Sequence, residues 1–266
     1  MIRRLIAAGL FVGLGLLYLY ATEHGLADPF LFPKAGAIAK AFSQDRDLML
    51  PNLLSSLGMM VPSILISLAL ALAVGIPLGR SAFLRDALHP LLYTLSVVPA
   101  ILMSPFVLLL APSFWAASVF LIVYSTVWST LFATITGVMT IDRRYLDKAA
   151  TLELKGLKRL TKVILPAASP SILSGFVNSL RNTFVMLVYA EMYGSQYGMG
   201  HFVKKYTDFS LYDHAWGGFL FMVGVLIVVM QIFDRLKDRM LRWTMDARGR
   251  GCPRAEGGAP PSARSR

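Results

Sequence analysis

The chain has 266 residues, 56% of them hydrophobic and only 15% charged, with a mean hydropathy of +0.60. A soluble domain of this length cannot hide that much apolar surface, so the composition excludes an ordinary water-soluble fold and leaves room for about six membrane spans of ~20 residues. The formal net charge of +11 raises nucleic acid as a partner, while the single cysteine, Cys252, excludes an intrachain disulfide and a cysteine-built metal site.

The first apolar run is Leu5–Tyr20. Its basic start resembles a secretory signal, but Leu19 three positions before a cut after Ala21 makes a poor cleavage site, so the run is expected to be a retained anchor. Further runs follow at Leu57–Leu78, Pro90–Leu110, Trp115–Val138, Ile172–Ala190 and Trp216–Phe233. In lipid each must be helical, because unpaired backbone groups cannot be left in hydrocarbon. The expected organisation is an N-terminal span with a periplasmic lead-in over 1–52, a transmembrane core over 53–235, and a basic tail over 236–266. Within that tail, residues 247–266 are rich in Gly, Pro, Arg and Ser and read as disordered.

Lys and Arg set the orientation. With the N-terminus inside, the cytoplasmic segments carry twenty of them, the opposite side carries five, and Arg181 lies within a span. This asymmetry predicts both termini in the cytoplasm. It also accounts for the +11 as topology, so no nucleic-acid partner is needed.

Between the fourth and fifth runs lies a basic segment, Arg143–Lys162, with seven Lys or Arg. Leu146, Ala149, Ala150, Leu157, Leu160 and Ile164 share one face if the segment is helical. Such a helix in a membrane protein is expected to lie on lipid headgroups or on a partner protein. Gly75 and Gly79 suit close helix packing, within one subunit or between two. Pro99 and Pro105 interrupt the third run, as a harmless kink or as a bent pore-lining helix. In the fourth run Ser118, Ser125, Ser129 and Thr136, with Thr126, Thr130 and Thr134 beside them, either bond to their own helix or wall a solute path. In the fifth, Ser171, Ser174, Asn178, Arg181 and Asn182 recur every three or four residues as one polar stripe. Arg181 lies 11 residues beyond Pro170, about 16 Å deep at ~1.5 Å per residue, near the middle of a ~30 Å core. An arginine at that depth is a candidate for the solute path, where it suits an anion, or else a structural ion pair. Glu191 reads as an interfacial carboxylate or part of an outer gate, and Tyr189, Tyr193, Tyr197, Tyr206 and Trp216 as an aromatic belt.

Several of these features together resemble the permease subunits of ABC importers, of the type serving nitrate, sulfonates, taurine and thiamine precursors. The segment ending in Leu165-Pro166 resembles that family's cytoplasmic coupling loop, whose Glu falls on Asp147 and second Ala on Ala149; Lys148 and Glu153 stand where the family has Ala and Gly. Leu31-Phe32-Pro33, the Gly75–Gly79 run, Pro99 with Pro105, and Ala190-Glu191 followed by Gly194, Gly198 and Gly200 continue the match over about residues 31–235. Ser129 and Ala133 replace a family Pro and Asn, and Arg181 replaces a small residue. The resemblance implies an all-α, type I importer-like permease with a coupling helix that includes Asp147, Ala149, Ala150, Leu157, Leu165 and Pro166. It also implies a second permease subunit, a pair of cytoplasmic ATPase subunits and a periplasmic solute-binding protein, in the bacterial inner membrane. The sequence lacks a Gly-x-x-x-x-Gly-Lys-Ser/Thr loop, so ATP hydrolysis is assigned to the partner; no cofactor or metal is expected. An integral-membrane enzyme or a non-transporting scaffold remains the alternative, and the solute itself is not specified.

Overall fold

The computed structural model describes residues 2–241. The tail over 247–266 and Cys252 lie outside the described residues. Ten α-helices follow in order: α1 (Ile2–Glu23), α2 (Ala35–Arg80), α3 (Ala82–Val97), α4 (Ala100–Leu110), α5 (Phe114–Met139), α6 (Arg143–Thr151), α7 (Gly156–Arg159), α8 (Leu165–Gly194), α9 (Met199–Asp208) and α10 (Tyr212–Met240). A π-helical turn, Leu160–Ile164, joins α7 to α8. Among the described residues four helical stretches are long and apolar enough to cross a membrane: α2, α5, Gly156–Gly194 and α10; the bent pair α3–α4 brings the number to five.

Helix α5 is the centre of the bundle, packed between α2 and α8. The close approach has a sequence cause. A Cβ on Gly75 would stand 2.8 Å from Thr134 Cβ, and one on Gly79 2.6 Å from Val138 Cβ. This pair therefore serves packing within one subunit. On the other side Gly175 lies against Ala133 and the Ser129 carbonyl. The threonines of α5 are buried at this seam: Thr126 Oγ1 lies 2.9 Å from Thr183 Oγ1, and Thr130 donates to Ser179 Oγ at 3.1 Å. Such interhelical bonds contribute about 0.6–2 kcal/mol each in a bilayer. One apolar cluster fills the end formed by Met49, Leu121, Ile122, Leu187 and Met199; a second, of Ile76, Val138, Ile164, Ala168 and Ile172, fills the other.

Three expectations are revised. The third run is two helices meeting at 88°, broken at Val98–Pro99. Proline holds its preceding residue out of the helical region, and Val98 sits at φ −70°, ψ 118°. Second, the lead-in before residue 53 is largely helical. Helix α2 starts at Ala35 and runs 46 residues, about 69 Å at ~1.5 Å per residue, more than twice a ~30 Å core. Buried Ile38, Ala41, Asp45 and Met49 give that extension an inner face.

Third, the basic segment is not one helix. It ends at Thr151 and resumes at Gly156, with Glu153 between the two at φ +51° and Gly156 itself at φ +55°. A left-handed residue cannot continue a right-handed helix. The expected single apolar face is consequently split: Ala149 and Ile164 are buried, whereas Ala150 is exposed and Leu157 is 72% exposed.

Candidate functional site

Helix α8 buries one side and leaves a polar side open. Leu180, Thr183 and Leu187 are enclosed against the bundle, while Ser174, Asn178, Arg181 and Asn182 are all exposed. Ser171, at the end of the same row, is half-buried and donates to the Ala133 carbonyl at 2.8 Å. Arg181 lies within two residues of the middle of this 30-residue helix. Among the described residues it has neither an ion pair nor a hydrogen bond. The stripe expected from the sequence therefore exists as a surface, with an unneutralised guanidinium at its centre.

Beside the stripe is a cavity of about 260 Å³. The α3–α4 break supplies Ser96, Pro99 and Ala100, α5 supplies Ser125 and Trp128, and α8 supplies Asn182. The proline break thus forms part of the wall of a largely apolar pocket that carries Ser96, Ser125 and Asn182. Of the α5 hydroxyls, Thr126, Thr130, Thr134 and Ser125 bond within the bundle, many to carbonyls of their own helix. Ser129 is half-buried, and its backbone carbonyl lies beside Gly175, next to the stripe. Arg181 does not line this cavity, and neither does Ser129.

Glu191 is fully buried within the bundle. Its Oε2 accepts the Gly200 N–H at 2.8 Å. From α2, Asn52 Oδ1 accepts the Gly198 N–H at 2.9 Å, and Ser56 Oγ accepts the Met199 N–H at 3.0 Å. Three successive amides opening α9 are therefore capped by side chains from two other helices. Gly198 has φ +113°, and a side chain there would run into the Glu191 carboxylate, which explains the spacing of the two glycines around Met199. The junction ties α2, α8 and α9 together at the end of the bundle that bears Gly194.

A neighbouring cluster went unread in the sequence. Asp45 is buried; Tyr206 donates to its Oδ1 at 2.9 Å, and His214 Nδ1 lies 2.5 Å from its Oδ2. The imidazole stacks on the Tyr206 ring. Burial, and then the Asp45 carboxylate, push the Tyr206 hydroxyl up to about 12. Partners 161 and 169 residues apart leave no local signal. Of the expected aromatic belt, Tyr193 and Tyr197 are exposed, whereas Trp216 donates its indole N–H to the Leu31 carbonyl at 2.9 Å.

At the opposite end, α6 starts on Asp142, whose Oδ1 accepts the Arg144 N–H at 2.9 Å. Asp147, Ala150 and Pro166 are exposed, Leu165 is half-buried, and Ala149 is enclosed. Tyr145, Leu152 and Leu157 form the exposed apolar set here; the first two were not singled out from the sequence because their spacing matches no single helix face.

Residues 49–245 match the family described as binding-protein-dependent transport system inner membrane component. A putative aliphatic sulfonates transport permease protein, SsuC of Bacillus subtilis, is 29% identical over 179 residues, covering 67% of this chain and 65% of that protein. The nitrate import permease protein NrtB of Leptolyngbya laminosa is 31% identical over 132 residues, 50% of this chain and 47% of that one. The matched part thus spans about two thirds of the first relative and half of the second. In fold, the chain is similar to the MetNI methionine ABC transporter in an inward-facing form, with TM-score 0.59 and 15% identity over 73% of this chain and 95% of that one. It is also similar to an amino acid ABC transporter, with TM-score 0.54 and 13% identity over 75% and 95% of the respective chains. The matched family covers the bundle, the broken span and the basic segment alike, and the chain belongs to the inner-membrane components of binding-protein-dependent transport systems.

Proposed function

We propose that the chain is the membrane-spanning subunit of an ATP-driven importer for a small anionic solute, of the nitrate, sulfonate, taurine or thiamine-precursor class. The observation that carries this reading is Arg181, exposed and unpaired near the middle of α8, with Asn178 one turn before it and Asn182 directly after it. A guanidinium at that depth costs roughly 2.5–3.5 kcal/mol on insertion scales. It is held there by water, by a second copy of the chain, or by the solute. The polar face of α8 then lines a path closed by a second permease subunit, most simply an identical one. Helix α1, the bent pair and the four longer helices make six spans, with both termini cytoplasmic and the basic segment inside.

In that arrangement ATP hydrolysis takes place in a pair of cytoplasmic ATPase subunits. Helix α6 and the exposed residues Tyr145, Ala150, Leu152 and Leu157 are the docking surface through which their closure tilts the spans. A periplasmic binding protein delivers solute to the face bearing the α2 extension and α9, where Glu191 holds the outer gate in register.

The test is reconstitution of the chain with the ATPase and binding protein that co-purify with it. Uptake of a sulfonate, nitrate or related anion that requires both ATP and the binding protein supports the reading. Uptake of a cation instead, or purification without any ATPase, refutes it. Fusing a reporter that fluoresces only in the cytoplasm to Arg266 tests the topology; a dark fusion contradicts it.

A further inference from the structure

Two arginines with no partner face a cavity at the end of the bundle where the basic segment lies. The cavity, about 350 Å³, is lined by Arg80 at the end of α2, by Val138 and Met139 at the end of α5, by Leu146 of α6, by Arg159 of α7, and by Ile164 of the π turn. No carboxylate lines it. Arg159 Nε is fully buried and has no hydrogen-bond partner. Neither arginine makes an ion pair among the described residues, whereas nearby Arg85 has Asp86 at 3.9 Å.

A buried, unsatisfied N–H on a charged group is costly, and a second guanidinium in the same pocket adds repulsion. Both costs fall if an anion sits between them. We infer that this cavity is a binding site for a phosphate-type oxyanion, the phosphodiester of an anionic lipid headgroup or free phosphate. Two planar guanidiniums match the fork geometry of phosphate oxygens. The remaining lining is apolar, as expected at the boundary between headgroups and acyl chains, and basic pockets between span ends are where anionic headgroups are bound. The π turn, which carries an extra residue per turn, lies between the two lining residues Arg159 and Ile164 just before α8. The site depends on neither the solute nor the orientation proposed above.

The full chain, purified in detergent, is tested with two probes. Native mass spectrometry reads retention of phosphatidylglycerol against phosphatidylcholine, and thermal shift reads a titration with inorganic phosphate. Losing a charge-assisted hydrogen bond weakens binding by about tenfold to a hundredfold. The wild type should therefore bind at least one probe, and Arg80→Gln/Arg159→Gln should lose it by at least about tenfold. Arg159→Lys should keep part of the binding, and Arg85→Gln, outside the cavity, should keep all of it. Retention of phosphatidylglycerol alone identifies a lipid site; a phosphate-induced shift identifies a free-anion site. Binding of neither probe, binding unchanged in the double variant, or equal loss in Arg85→Gln overturns the inference. So does a double variant that binds the probes normally but loses its ATPase, because the cavity then belongs to a protein contact.

Discussion

Gly175→Ala is the sharpest test of how the bundle is closed. The added methyl would lie well inside contact with Ala133 Cβ, 2.8 Å from the Ser129 carbonyl oxygen and 3.4 Å from Thr130 Cα. Both first obstacles are rigid, so the seam between α5 and α8 must open by about 0.7 Å at the Ser129 carbonyl, and by more at Ala133, to reach ordinary contact of ~3.5 Å. The Thr130–Ser179 bond, 3.1 Å long, is then stretched beyond its useful range. Overpacking costs about 1–3 kcal/mol and the weakened bond about 1, offset by nearly 1 from alanine's better helix propensity. The net loss is ~2 kcal/mol, or roughly 4–8 °C in melting temperature for a chain of this size. Intrinsic fluorescence or size-exclusion after heating reads this in detergent. Ala133→Gly in the same chain should restore part of the loss, since one of the two obstacles is removed. Gly224→Ala, which meets nothing within 4 Å, should be neutral or slightly stabilising. If Gly175→Ala melts like the wild type, the α5–α8 seam is not packed as described.

Glu153 occupies a left-handed conformation, φ +51°, so Glu153→Gly should stabilise the chain by about 0.5–1 kcal/mol, visible as a melting temperature higher by a few degrees; a lower value contradicts the backbone assignment. In the basic segment, Ala149→Asp should abolish folding because the carboxylate is forced into a site that is 1% exposed, whereas Ala150→Asp should fold, reach the membrane, and lose the ATPase; membrane yield and co-purification separate the two. The Tyr206 hydroxyl is raised above its ordinary value of 10 to about 12, so the folded chain holds that proton more tightly than the unfolded chain. The resulting stability is complete below pH 10 and is lost between pH 10 and 12; melting temperatures should fall more steeply there in the wild type than in Tyr206→Phe, and equal slopes refute the assignment.

Apolar runs of span length were legible because lipid permits little but helices for them. The stripe of α8 was legible for a similar reason: one helix, one period, and polar residues that a bundle would not enclose. Pro99 announced a break, but its 88° angle depends on how α3 and α4 each pack, which no local signal carries. Periodicity misled in the basic segment, since Ala149 and Leu157 share a face only if the helix continues, and Glu153 stops it. The departure from the family glycine at Glu153 was the clue: the structure places a left-handed backbone there. Glu191 and the two glycines around Met199 were noticed, yet their partners Asn52 and Ser56 lie about 145 residues away. The same kind of separation hides His214, which faces Asp45 from 169 residues away.

The central claim is that solute passes along the polar face of α8, and Arg181 decides it. Uptake is measured in proteoliposomes holding the complete transporter, with the binding protein supplied outside. Arg181→Gln should assemble and keep basal ATP hydrolysis but lose most uptake, and Arg181→Lys should recover part of it as a point charge without the planar fork. Normal uptake of an anionic solute by the Gln variant, or a cationic cognate solute, would contradict the claim and leave Arg181 a structural residue.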